Sequence, residues 1–185
     1  LQLLVDQAET VYLAYELISF MPVPARKIKW EARIESDVTK TLVTADNFEI
    51  CKSQVMASCK TAESAVIDYE TDISDEAREW IEQTDGAIKV DVIGSRIAGM
   101  GLKIGTDCWY FSVDHADTKN ITLENLEEIL LLIKGKRVFA HNLGGFENPV
   151  TYNHYGWMFE NAIDTRLLAS YIDENEFQGL KILSK

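Results

Sequence analysis

Apolar residues recur at three- and four-residue spacing at Leu3, Leu4, Ala8, Val11, Tyr12, Tyr15 and Ile18, a period that predicts a helix over residues 1–22. Pro22 and Pro24 end it, because proline cannot continue a helix and restricts the residue before it. Residues 35–63 hold no sustained period, and no element is assigned there. From residue 65 the pattern sharpens. Ala65-Val66-Ile67 is a short apolar run leading into Asp68-Tyr69-Glu70, and Val90 to Leu102 sets Val92, Ile93, Ile97 and Met100 among glycines. Cys108 to Val113 follows the turn-like Gly105-Thr106-Asp107, so three strands are predicted in succession.

The period then lengthens. Thr122 precedes a helical stripe of Leu123, Leu126, Ile129, Leu130 and Ile133, with Thr122 and Asn125 at capping-box spacing and Gly135 at the expected stop. Val138-Phe139-Ala140 reads as a fourth strand ending at His141-Asn142, followed by a helix from about Pro149 to Tyr155. Ala162-Ile163 is a brief fifth strand, and Asp164 sits where it would cap a last helix carrying Leu167, Leu168 and Tyr171. Three successive strands followed by alternating helices and strands imply an α/β fold, a mixed five-stranded sheet flanked by helices. The chain divides at residue 63 into an N-terminal helical extension and a second domain, 64–185.

Composition narrows the class. The 185 residues are 46% hydrophobic and 26% charged, as in an ordinary globular protein. No stretch approaches the roughly 20 apolar residues that cross a bilayer, so no membrane partner is expected. Three cysteines without a C-x-x-C pair argue against a disulfide framework or thiolate zinc site and point to a reducing cytoplasm. The net charge of −12 argues against coating of duplex nucleic acid, where phosphate neutralisation needs Lys and Arg. The basic residues Arg26, Lys27, Lys29 and Arg33 read as a solvated connecting segment before a phosphate-contacting one. An acidic chain can still act on phosphates, because carboxylates recruit divalent cations that meet the phosphate in place of basic side chains.

Candidate chemistry sits at strand ends. Asp68 and Glu70 are two apart, which places both carboxylates on one side of the sheet, about 7 Å apart along the strand. Such a pair is costly unless a cation or proton neutralises it, and Mg²⁺ or Mn²⁺ accepts hard oxygen ligands of this kind. His141-Asn142-Leu143-Gly144-Gly145-Phe146-Glu147 follows another apolar strand and brings a third carboxylate toward the first two; the same segment also reads as turn chemistry alone. His141 is read as structural, and Trp109-Tyr110-Phe111 as core strand.

Val66-Ile67-Asp68-Tyr69-Glu70-Thr71 resembles the first exonuclease motif of the DEDD superfamily, and Phe139-Ala140-His141-Asn142 through Phe146-Glu147 resembles the second. Ile163-Asp164-Thr165-Arg166-Leu167-Leu168, followed by Gly179-Leu180-Lys181, is similar to a segment of family A DNA polymerases of the polymerase I and phage type. The resemblance covers residues 64–185 and implies a ribonuclease H-like fold. It implies a two-metal (Mg²⁺ or Mn²⁺) 3′→5′ proofreading exonuclease acting on a single-stranded DNA 3′ end, with a polymerase domain in the same longer chain. It assigns Asp68, Glu70 and Glu147 as catalytic metal ligands and Thr71, Asn142 and Phe146 to substrate binding. Two departures stand out: Glu147 replaces the usual Asp, and no Tyr or His followed by Asp appears after Gly179. The fourth carboxylate and the general base are therefore expected beyond Lys185. A free-standing ribonuclease D-like enzyme and a catalytically silent binding scaffold are the alternatives, the latter favoured by Glu147.

Overall fold

A computed structural model describes residues 39–72 and 94–172. The helix expected over 1–22, the basic cluster of residues 26–33 and the Gly179-Leu180-Lys181 segment lie outside these residues. Asp37–Thr165 forms one compact unit, and the described part of a second unit is the body of helix α4 (Thr165–Ile172).

The first unit is built on a sheet of six strands: β1 (Thr39–Val43), β2 (Ser64–Asp72), β3 (Arg96–Ile104), β4 (Asp107–Ser112), β5 (Arg137–Ala140) and β6 (Ala162–Asp164). Their order is β1-β4-β3-β2-β5-β6. β2, β3 and β4 run antiparallel to their neighbours in that series, whereas β5 and β6 lie parallel beyond β2 and β1 lies parallel beside β4. The five expected strands are all present, and they form the mixed sheet of a ribonuclease H-like fold. β1 is an addition. Only Val43 of its five residues is buried, so an edge strand with so little inward surface leaves no alternation to detect.

Three helices complete the unit: α1 (Phe48–Thr61), α2 (Leu123–Ile133) and α3 (Glu147–Tyr155). Alternation along β2 sends Ala65, Ile67 and Tyr69 inward, where they join Met100, Leu102 and Ile104 of β3 and Trp109 and Phe111 of β4. Leu126, Ile129, Leu130 and Ile133 of α2, Phe48, Cys51 and Val55 of α1 and Val150 of α3 belong to the same core. α1 contributes only three buried residues among fourteen, which is why its stretch reads as aperiodic. It begins at Asn47, whose side chain accepts from the Thr44 amide at 2.8 Å and donates to the Leu42 carbonyl at 2.9 Å, tying helix to edge strand. β1 and α1 thus belong to the same compact unit as the sheet, and residue 63 falls inside it.

Local signals behave largely as expected, with shifts at ends. Thr122 and Asn125 form a reciprocal capping box at 3.2 and 3.3 Å. α3 starts at Glu147, two residues before Pro149, because a proline in the first turn costs no hydrogen bond. Gly135 follows α2 without adopting a left-handed conformation, so its role is not that of a left-handed cap; Gly156, at φ 74°, plays that part for α3.

The C-terminal end of α1 is closed from outside. Lys136, just before β5, donates from Nζ to the carbonyls of Cys59 and Ala62, each at 2.6 Å. Charged donors on the last carbonyls of a helix satisfy groups that have no partner within it. Lys136→Met keeps the aliphatic stem and removes the ammonium. It is expected to lower unfolding free energy by about 1–2 kcal/mol in urea titration, without changing the fold.

Candidate active site

Alternation that buries Tyr69 turns its neighbours Asp68 and Glu70 to the opposite face of β2, together with Val66. The two carboxylates share one face, as the spacing predicts. On the adjacent strand they face glycine: Asp68 pairs with Gly101 and Glu70 with Gly99. The pairing then slips between Glu70 and Thr71, so that Thr71 lies opposite Ile97 and Ala98 is the extra residue. Ala98 is held in its bulge by two amides, Val113 and Asp114, both 2.9 Å from its carbonyl oxygen. Bulges of this kind recur beside active sites, where they redirect a side chain or end a pairing. Thr71 is therefore placed directly after the carboxylate pair and half-buried.

The turn from β5 to α3 positions the third carboxylate. Asn142 adopts φ 67°, a left-handed conformation that asparagine tolerates better than most residues. Its carbonyl accepts the amides of Gly145 and Phe146, each at 2.9 Å. A Cβ at Gly145 would stand 2.7 Å from the Asn142 side chain, so a larger residue there would displace that side chain. Asp164, at the end of β6, accepts the Asn142 amide at 2.9 Å and the Gly144 amide at 3.1 Å. The residue read as a helix cap is thus the anchor of the turn. Phe146 precedes α3 and packs against the core, and Asn142 contributes its backbone to the turn.

Glu147 opens α3 and is buried, at 1% exposure. Its Oε2 has no hydrogen-bond partner among the described residues. Burial, opposed in part by its own backbone amide and reinforced by Asp68 and Asp164, pushes its carboxyl up to about 7. Asp68 is also raised, first by burial and then by Glu70, while His141 acts in the opposite direction. The charge of Asp68 is felt by Glu147 and that of Glu70 by Asp68, and Glu147 also feels Asp164.

His141 lies near enough to Asp68 for its charge to be felt there. Its Nδ1 is 3.2 Å from the Thr165 hydroxyl, which itself donates to the Ala140 carbonyl at 3.2 Å. Among the described residues no three His, Cys, Asp or Glu side chains converge closely enough to hold a metal ion. The donors nonetheless fit a divalent cation in kind: they are hard oxygens, they repel one another, and the buried Oε2 of Glu147 lacks a partner.

One residue was missed from the sequence. Trp109 and Phe111 are core residues as read, but Tyr110 between them points to the other face, and its hydroxyl donates to Glu70 Oε2 at 2.8 Å. The signal was available in the alternation itself, which cannot bury three consecutive strand residues on one face. Beside Tyr110 lies a cavity of about 310 Å³, bordered by Leu42 of β1, Ser112, His115 and Thr118.

No family model and no characterised protein sequence matches the chain. Solved structures do. The RNase domain of the yeast Pop2 protein is 13% identical, with a TM-score of 0.50 over 89% of this chain and 78% of that one. A chain of the yeast NOT1 MIF4G domain co-crystallized with CAF1 is 12% identical, with a TM-score of 0.54 over 89% and 80%. Escherichia coli RNase D, described as an exoribonuclease involved in structured RNA processing, is 16% identical with a TM-score of 0.42; 71% of this chain spans 28% of that one. The likeness to the first two establishes the ribonuclease H-like fold.

The raised carboxyl of Glu147 makes stability depend on pH. Between its ordinary value of 4.5 and about 7, the folded protein holds a proton that the unfolded chain has released. Stability therefore declines as pH rises through that window and levels off above it. The decline amounts to about 3 kcal/mol, at about 1.4 kcal/mol per pH unit of separation. Urea titrations at about pH 5 and about pH 8 without divalent ions should show it. In Glu147→Gln most of the decline should vanish, the remainder belonging to Asp68, and the variant should be the more stable protein at the higher pH.

Proposed function

We propose that this chain is a metal-dependent 3′→5′ exonuclease domain of the free-standing, ribonuclease D-like kind, hydrolysing the terminal phosphodiester of a single-stranded nucleic acid. The observation that carries the proposal is the set of carboxylates coupled through Asp68, with Asp68 and Glu70 on one face of a central strand of a ribonuclease H-like sheet and a buried Glu147 oxygen that has no hydrogen-bond partner among the described residues. The segment that suggests a polymerase, Gly179-Leu180-Lys181, lies outside the described residues. A fold neighbour whose name carries an activity, the RNase domain of the yeast Pop2 protein, supports a nuclease reading.

In this reading Asp68, Glu70 and Glu147 would hold the divalent cation. A divalent cation, when bound, supplies an activated water and offsets the charge that develops on the departing 3′ oxygen. Before Glu147 can serve, it must lose the proton that burial favours, so cation loading and deprotonation of this carboxyl are coupled. Asp164 keeps the turn, and hence the start of α3, in place while that happens. Thr71, next to the pair at the bulge, is placed to meet the backbone of the terminal nucleotide. A catalytically silent scaffold is the second reading, favoured by the longer Glu147 side chain and by the absence of a closed three-ligand cluster among the described residues.

The test is trimming of an end-labelled single strand, DNA and RNA in parallel, with Mg²⁺ or Mn²⁺. Wild type should shorten the strand from its 3′ end, and Asp68→Ala should lower the rate by a factor on the order of 10³ or more, as loss of a ligand to the reacting centre implies. Unchanged trimming in Asp68→Ala would refute the assignment, and no trimming by wild type with either ion would favour the scaffold.

A further inference from the structure

Tyr110 of β4 faces Gly101 in the sheet and leans diagonally across Gly99 to reach Glu70 on β2. The approach requires glycine: a Cβ on Gly99 would stand 2.2 Å from the Tyr110 hydroxyl oxygen. That hydroxyl makes two contacts, to Glu70 Oε2 and to His115 Nε2, both at 2.8 Å. A phenol has one proton and a carboxylate only accepts. Since the proton lies toward Glu70, the second contact must be donated by His115, which fixes the imidazole as an Nε2–H species facing Tyr110. Burial and the neighbouring Glu70 and Asp68 push the phenol of Tyr110 above its ordinary range, so the hydroxyl keeps its proton.

His115 is itself held. Asn120 Oδ1 accepts the His115 amide at 3.1 Å, and Asn120 Nδ2 donates to the His115 carbonyl at 2.9 Å. The same Oδ1 accepts the hydroxyls of Ser112 and Thr118 at 2.8 and 2.9 Å, which fastens the loop after β4 to the strand. An unbroken series of donors thus runs from this loop through His115 and Tyr110 to one oxygen of Glu70. None of these residues belongs to the motifs that mark the carboxylates.

We propose that Tyr110 is a positioning residue for Glu70, fixing one carboxylate oxygen so that the other is presented to a divalent cation, and that His115, clamped by Asn120, fixes the Tyr110 hydroxyl in turn. The inference rests on the cation-binding reading of the Asp68 site. Outer partners of metal-binding carboxylates set their orientation, and losing one typically costs about 10- to 100-fold in affinity or activity.

The experiment uses the full chain and Mn²⁺ as probe. ¹⁵N shifts of the His115 ring at mildly alkaline pH should report the Nε2–H tautomer in wild type and a shift toward a mixture in Tyr110→Phe. Mn²⁺ affinity should fall about tenfold or more in Tyr110→Phe, with unchanged circular dichroism. Gly99→Ala, which displaces an intact Tyr110, should reproduce the loss. An Nδ1–H tautomer in wild type overturns the proposal even if no variant folds. So does wild-type Mn²⁺ affinity in a folded Tyr110→Phe when Asp68→Ala binds weakly, and in that case the site reading survives. If Asp68→Ala also binds Mn²⁺ as wild type does, the site reading fails and this inference with it.

Discussion

The cost of keeping the carboxylates around Asp68 charged, set first by burial and then by like-charge repulsion, is the constraint around which the rest of this unit is arranged. A partly buried carboxylate that also meets the charge of Glu70 and Glu147 raises the free energy of the folded state unless a proton or cation intervenes. The protein holds these groups in place with rigid elements. β2 lies inside the sheet with a partner on each side, and its inward residues Ala65, Ile67 and Tyr69 are part of the core. The energy of burying that face keeps the opposite face, and therefore both carboxylates, from turning away. Charge that a fold maintains against its own stability is a reason to look for a ligand rather than for a structural role.

The β5–α3 turn shows the same logic at smaller scale. A left-handed Asn142, a glycine at 145 packed close to the Asn142 side chain and the Asp164 carboxylate on two amides define one backbone path. That path delivers Glu147 to the first position of α3, where its own amide partly offsets the burial. Thr151, one turn later, accepts the Tyr69 hydroxyl at 3.1 Å and donates to the Glu147 carbonyl at 2.7 Å, linking the start of α3 to the strand that carries Asp68. Strand, turn and helix thus share the work of placing Asp68 and Glu147.

Much of this was legible in the sequence, for reasons that differ by residue. Asp68 and Glu70 follow an apolar strand, and period-two alternation alone places them together. Glu147 was legible as a neighbour because glycines and Asn142 mark the turn before it. Its burial was not, since that depends on packing from several elements rather than on local pattern. α1 and β1 escaped notice because a helix with three buried residues and an edge strand with one carry little periodic signal. The anchoring of the Asn142 turn by Asp164 was not legible, because a cap is local whereas that turn lies about twenty residues upstream. Tyr110 was overlooked because an aromatic run reads as core until the alternation within it is taken seriously. The mixed sheet was legible in the element order, and its ribonuclease H-like kind in the resemblance of the motifs at the strand ends.

The most direct test of the central claim is the melting temperature of the metal-free protein at alkaline pH as Mn²⁺ is added. If the Asp68-centred carboxylates form a cation site, the melting temperature rises and saturates with Mn²⁺, since a ligand that binds only the folded state stabilises it. The rise should be absent in Asp68→Asn, whose own metal-free melting temperature should exceed that of wild type because the repulsion is gone. A wild-type melting temperature indifferent to Mn²⁺, or an Asp68→Asn protein that responds to it as wild type does, would contradict the account.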